Sequence, residues 1–143
     1  MSAQPLAGHN KKVISCSRRI LCFVSPTGKD KIRDWYDDLG PAERATADAF
    51  IKTVLRKQDW VMPDYRSALS GSKDLKRIGE LRWVCNNVNH RLVGYLMNGV
   101  DFAAMIGCTH KQKVYNPASA LETAITRRKQ IGRKEGTLRE YDF

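Results

Sequence analysis

Arg82, Arg91, His110, Lys111, Lys113 and Tyr115 are the side chains through which this chain could act on a phosphate. An arginine presents a planar fork of N–H donors that matches two phosphate oxygens. A histidine, with an unperturbed pKa of roughly 6.5, serves as base or acid near neutral pH. On an RNA substrate such groups suffice without metal. The 2′-OH attacks the adjacent phosphate, a base takes its proton, an acid protonates the leaving 5′-oxygen, and cations stabilise the charged phosphorane. On that reading Arg82 and Arg91 clamp the phosphate and His110 moves protons. Lys111 and Lys113 neutralise charge, and Tyr115 stacks a base or shares the proton transfer. Glu80 is a weaker candidate for the base. Cations around His110 would lower its pKa and favour the neutral form.

Each of these residues also has an ordinary reading. A strand arginine is most often solvated or in a surface ion pair, a loop histidine is most often surface decoration, and "HKQK" reads equally as a solvated basic run. What raises the functional reading is convergence, and convergence depends on the elements that carry the residues. In "GELRWVC" (79–85), side chains alternate, so Glu80 and Arg82 share one face and Leu81, Trp83 and Cys85 the other. A turn centred on residues 87–88 brings Arg82 near Arg91 of the next strand, "HRLVGYLM" (90–97). Asn98-Gly99 is the strongest short hairpin signal in the chain. Pairing about it places residue 106 of the third strand, "VDFAAMIGC" (100–108), opposite Arg91, with His110 one step beyond that end of the sheet. The arginines, His110 and the lysines are therefore expected to meet at one cationic rim.

The remaining segments predict an α+β fold. A strand at "RILCFVS" (19–25) precedes a helix whose Ile32, Trp35, Tyr36 and Leu39 form one apolar stripe, with Thr27–Asp30 resembling a capping box. Pro41 is placed to open a second helix, and the pair should form an antiparallel hairpin. Residues 59–74 read as loop, and 75–108 as a three-stranded antiparallel meander. Asn116-Pro117 reads as cap and first residue of a last helix ending near Gly132. The expected organisation is a flexible basic extension over 1–18, a single domain over 19–132 and a tail over 133–143, read as disordered.

With 143 residues, 42% of them apolar, the chain can build one core. No apolar run approaches the roughly 20 residues of a membrane span, and no secretory leader is evident, so a cytoplasmic protein without membrane contact is expected. Cys16, Cys22, Cys85 and Cys108 lack paired spacing, and His9, His90 and His110 are scattered, so reduced packing thiols are favoured over a zinc site. No carboxylate cluster suits Mg²⁺, so no metal or other cofactor is expected. A net charge of +10 attracts polyanions, nucleic acid first among them. Lys76, Arg77, Lys113, Arg127 and Arg128 are the expected RNA contacts outside the catalytic group.

"GELRW" (79–83), Arg91 in the following strand, and "MIGCTHKQKVYNP" (105–117) leading into "SALETAITRRKQ" together resemble RelE/HigB-like toxins of bacterial type II toxin–antitoxin pairs, in particular the phage-related HigB-type branch. The resemblance covers about residues 19–130. It implies a compact RelE-like α+β fold, cleavage of mRNA on the ribosome, and a cognate antitoxin as partner. By position it equates Arg82 with the family arginine after Glu-Leu, Arg91 with the basic residue of the next strand, and His110-Lys111 with a Lys-Lys pair. The chain departs from the pattern at Cys108, where phenylalanine is common, and at His110, which replaces the first lysine.

Two other functions compete. A ParE-like toxin would share the fold but inhibit DNA gyrase through protein contacts, with no nuclease step. A non-catalytic nucleic-acid-binding protein would bind RNA without scission, although the 8% aromatic content carries no stacking signature.

Overall fold

A computed structural model describes residues 18–143; the expected N-terminal extension, with His9 and Cys16, lies outside the described residues apart from Arg18. Among the described residues the fold is mixed α+β, with three helices and a sheet of seven strands. Strand β1 (Ile20–Val24) leads to helix α1 (Lys31–Asp38) and helix α2 (Pro41–Leu55). A two-residue strand β2 (Tyr65–Arg66) and a 3₁₀ turn (Leu75–Arg77) precede β3 (Gly79–Cys85), β4 (Val88–Met97) and β5 (Asp101–Lys111). Then come β6 (Val114–Asn116), α3 (Ala120–Gly132) and β7 (Thr137–Glu140).

The expected meander is present as β3-β4-β5, but the sheet extends beyond it in the order β2-β3-β4-β5-β1-β7, with β6 folded back on β5. Strand β1 runs parallel to β5, from Ile20 opposite Phe102 to Cys22 opposite Ala104. Both faces are covered. Ile20, Cys22, Leu81, Trp83, Leu92 and Phe102 pack under α1 and α2. Phe23, Val93, Ala103, Met105 and Cys108 pack under α3 and the segment around Leu69 and Ile78. Ala120 and Ala124 are fully buried, and their small side chains let α3 lie close to the strands. Cys22, Cys85 and Cys108 are free and buried, as packing residues would be.

Local signals were honoured unevenly. Pro41 opens α2 with Gly40 as its cap. For α1 the cap is Asp30 itself, whose carboxylate accepts from the amides of Ile32 and Arg33, and not Thr27. The last helix begins at Ala120 with Ser119 as cap, because Asn116 is taken up by pairing with Thr109 in the β5-β6 hairpin.

The C-terminal segment corrects the sequence reading most. Residues 137–140 form the outer strand β7, antiparallel to β1, and close an edge that β1 would otherwise expose. Tyr141 donates its hydroxyl to Asp48 of α2 at 3.0 Å, and Tyr36 of α1 donates to the other oxygen of that carboxylate at 2.7 Å. The Phe143 ring lies 4.8 Å from that of Tyr36 and 3.9 Å from that of Tyr141. The tail thus ties the helical hairpin to the sheet. Tyr141→Phe is expected to lower unfolding free energy by about 1.5 kcal/mol, the lower range for a hydrogen bond to a charged group. Urea denaturation measures this; an unchanged midpoint would mean that the tail is not part of the cooperative unit.

Candidate active site

The site begins with the register of three hairpins. Asn86 and Asn87 both take positive φ (52° and 63°), forming a two-residue turn that pairs Cys85 with Val88 and sets Arg82 directly opposite Arg91. At the next turn Asn98 and Gly99 have φ of 53° and 69°. Met97 pairs there with Asp101, where a two-residue turn would have paired it with Val100, and a bulge at Val93/Gly94 adds one further step. Arg91 therefore faces Cys108, not residue 106, and His110 sits within the sheet opposite Asn89. Gln112 and Lys113, again with positive φ, turn the chain so that Tyr115 of β6 lies opposite His110.

Glu80, Arg82, Arg91, Cys108, His110 and Tyr115 consequently share one face of the sheet. The centre of this group is Glu80, which has 0% exposure. Its Oε1 accepts from Arg82 Nε at 3.0 Å, Arg82 Nη2 at 2.8 Å and Arg91 Nη1 at 2.9 Å. Its Oε2 accepts from the Tyr115 hydroxyl. One buried carboxylate thus holds two guanidiniums that would otherwise repel across the strand pair. The net charge of this cluster is one positive unit, less than the unopposed rim expected from sequence. Glu80 has no free role as a base: it is sealed from solvent and every oxygen is occupied.

Some donors remain uncommitted. Arg91 Nε is buried without a partner, and Arg82 Nη1 contacts only Met62 Sδ at 3.8 Å. Both arginines line a cleft of about 370 Å³. His110 lines a neighbouring cleft of about 490 Å³ with Lys111, and Asn89 borders both. The His110 ring meets the Tyr115 ring edge-on at 4.6 Å, and the Arg91 guanidinium lies 5.7 Å from the centre of the Tyr115 ring. Tyr115 is therefore the bridge between the arginine pair and the histidine.

Burial, and after it the Arg91 charge, hold the His110 pKa below the usual value; Glu80 opposes and Arg82 adds to the effect. The Tyr115 phenol is pushed up to about 12 by burial and by its bond to Glu80. It holds its proton at neutral pH, so it positions groups here and does not exchange protons. Burial, reinforced by Glu80, pushes the Cys108 thiol up to about 12, which suits a packing residue and not a nucleophile.

The other sequence-predicted residues are placed elsewhere. Lys111 is exposed and, by alternation, leaves the strand on the face opposite to His110. Lys113 is exposed at the tip of the β5-β6 turn. Lys76 and Arg77 are exposed on the 3₁₀ turn that leads into β3. Arg127 and Arg128 pack against the sheet. Arg127 donates to the Met105 carbonyl at 2.9 Å over the Phe23 ring, and Arg128 lies 5.1 Å from the centre of the Tyr95 ring. Both are half-buried and lie between α3 and the sheet. Sequence reasoning undervalued Glu80, although its position two residues before Arg82 already put the pair on one face, and it overlooked Asn89.

Among the described residues no three His, Cys, Asp or Glu side chains gather in a metal-binding group, and no helix is long and apolar enough to cross a membrane. Comparison with protein families, curated proteins and solved structures finds no match for this chain.

Proposed function

We propose that this chain is a RelE/HigB-like toxin: a metal-independent, ribosome-dependent endoribonuclease that cuts mRNA in the cytoplasm and is restrained by a cognate antitoxin. The observation that supports this is the meeting of Arg82, Arg91, His110 and Tyr115 on one sheet face, although the chain separates the first from the last by 33 positions (115 − 82). In this reading the uncommitted donors of Arg82 and Arg91 take the scissile phosphate and Glu80 fixes the spacing of the two guanidiniums. His110, held neutral, accepts the 2′-OH proton and returns one to the leaving oxygen. Tyr115 orients Arg91 and the imidazole. Exposed Lys111, which lines the His110 cleft, and Lys113 at the β5-β6 turn supply the sequence-independent grip on RNA.

Incubating the protein with ribosomes and a defined mRNA, followed by primer extension, tests the proposal. Cleavage should appear within the coding sequence, and expression should arrest growth unless a neighbouring antitoxin gene is co-expressed. RNA affinity should fall by about 0.7 in log K per neutralised phosphate for each unit of log salt. Intact mRNA together with inhibited gyrase supercoiling would transfer the chain to the ParE-like reading. The commitment of the inner guanidinium donors to Glu80 favours, as a second reading, an RNA-binding remnant. Salt-sensitive RNA binding with neither scission nor growth arrest would select it.

A further inference from the structure

Arg127 carries a charge that no carboxylate of the fold neutralises. It is half-buried, with its guanidinium 5.2 Å from the centre of the Phe23 ring, and it gives Nη1 to the Met105 carbonyl. Its other nitrogens are neither sealed from solvent nor partnered among the described residues, so they stay open to the cleft that Arg127 lines. Burial lowers its pKa, and no carboxylate opposes that shift. Arg82 and Arg91 share Glu80, whereas Arg127 has no such internal anion. A half-buried cation without a counter-charge is costly, and an anion from solvent would relieve the cost.

The cleft, of about 360 Å³, lies between α3 and the connection from β1 to α1, and it shares no lining residue with the arginine-pair or His110 clefts. Thr123, Thr126, Arg127 and Gln130 line it from one face of α3, at three- and four-residue spacings. Lys31, the first residue of α1, joins them half-buried. The hydroxyls of Thr46 and Thr53 in α2 turn back on carbonyls of their own helix, at 3.0 and 2.8 Å. Those of Thr123 and Thr126 have no partner among the described residues, and both remain available to a ligand. A guanidinium fork, an ammonium, two hydroxyls and an amide match a tetrahedral oxyanion. Glu122 lines the same cleft, and among the described residues neither it, Lys31 nor Arg127 is in an ion pair. An ionised carboxylate only accepts, so it favours an oxyanion that still carries a hydrogen. Inorganic phosphate carries one throughout the neutral range. Sulfate and the phosphodiester of a nucleic-acid chain carry none.

We propose that this cleft is a separate anion site selective for inorganic phosphate: Arg127 and Lys31 neutralise the ion, Thr123 and Thr126 donate to its oxygens, and Glu122 accepts its hydrogen. The site stands apart from the arginine pair and does not depend on the nuclease reading. Its occupant links α3 to the start of α1, two elements on opposite faces of the sheet.

Amide NMR titration of the full chain with inorganic phosphate, sulfate and dimethyl phosphate, at an ionic strength held constant with chloride, tests it. Phosphate should shift the Lys31, Thr123, Thr126 and Gln130 amides along a saturating curve. The same curve should persist in Arg91→Met, which disables the arginine pair. Lys31→Ala should weaken it about tenfold, the worth of one charge-assisted hydrogen bond, with the amides outside the cleft undisturbed. Thr126→Val, at an exposed position, should weaken it by a smaller factor and keeps the test independent of Arg127, whose removal would also disturb packing. Phosphate should bind about tenfold more tightly than sulfate or dimethyl phosphate, and Glu122→Gln should erase that preference. Shifts at these amides that fail to saturate, or that vanish in Arg91→Met, overturn the site. Equal affinities for the three anions in the unsubstituted chain overturn its assignment to phosphate.

Discussion

Replacing Glu80 with alanine is expected to destabilise the fold by about 3–5 kcal/mol, the loss typical when one member of a buried ion pair is removed. Arg82 and Arg91 would then face each other across β3 and β4 with nothing between them, and their side chains are only 20% and 11% exposed. Tyr115 would lose its acceptor at the same time. Glu80→Gln separates charge from shape. It keeps an oxygen for the arginines but faces them with a neutral amide, so most of the loss should remain. The double variant Glu80→Met/Arg91→Met should recover much of it, because a matched apolar pair avoids the desolvation that the ions suffer. Chemical denaturation of the four proteins decides the matter. A loss below about 1 kcal/mol for Glu80→Ala would mean that the arginines relax into water and that Glu80 is not their organiser.

The network explains why two like charges stand opposite each other in a strand pair. Seen in the sequence alone, Arg82 and Arg91 demanded either solvent or an external anion. The fold supplies an internal one instead. This makes the anion affinity of the cleft a matter of the donors that remain, Arg82 Nη1 and the unpartnered Arg91 Nε, and places the guanidiniums before any ligand arrives. Holding them in advance reduces the ordering penalty of binding, while the Glu80 charge weakens their pull on a phosphate. Binding strength and positioning are therefore opposed in the same carboxylate.

Legibility followed the range of the interactions. The hairpin β3-β4-β5 could be read because asparagines and glycine at its turns force left-handed backbone, a local signal. The register of β5 was missed by two positions, one at the Asn98 turn and one at the bulge, yet His110 still fell on the Arg91 face. Side-chain direction has a period of two, so two single-residue slips restore it. The parallel pairing of β1 with β5, and β7 against β1, could not be read, since these contacts join residues about eighty or more apart and leave no periodic trace in either segment. The mixed charges of "RKEGTLREYDF" suggested disorder because an outer edge strand needs few apolar residues of its own. The packing of Arg127 over Phe23 and of Arg128 over Tyr95 was illegible for a related reason: a guanidinium stacked on an aromatic ring has the same sequence as one in solvent.

Replacing His110 with alanine is expected to reduce RNA cleavage by about 10²–10⁴-fold while leaving the unfolding midpoint nearly unchanged, because the side chain is only half-buried at the sheet rim and makes no hydrogen bond that holds the core. The pH profile gives a sharper check. Burial and Arg91 lower the pKa of His110, so the imidazole stays neutral to a lower pH than a free histidine. As the base that takes the 2′-OH proton it must be neutral, so kcat/KM should hold steady as pH falls through the ordinary histidine value and decline only below it. The same shift sets a stability trend of the same sign. The unfolded chain binds the proton at higher pH than the folded one, so His110's contribution is complete above the unfolded pKa and is lost as pH falls from there through the folded value. Arg91→Met removes the second cause of the shift and should move the acid limb of the rate profile upward as well as weaken binding. A simple defect in folding would change the amplitude of that profile and leave its limb in place. A wild-type rate in His110→Ala would remove the histidine from the chemistry and leave the arginine pair as a site for holding RNA.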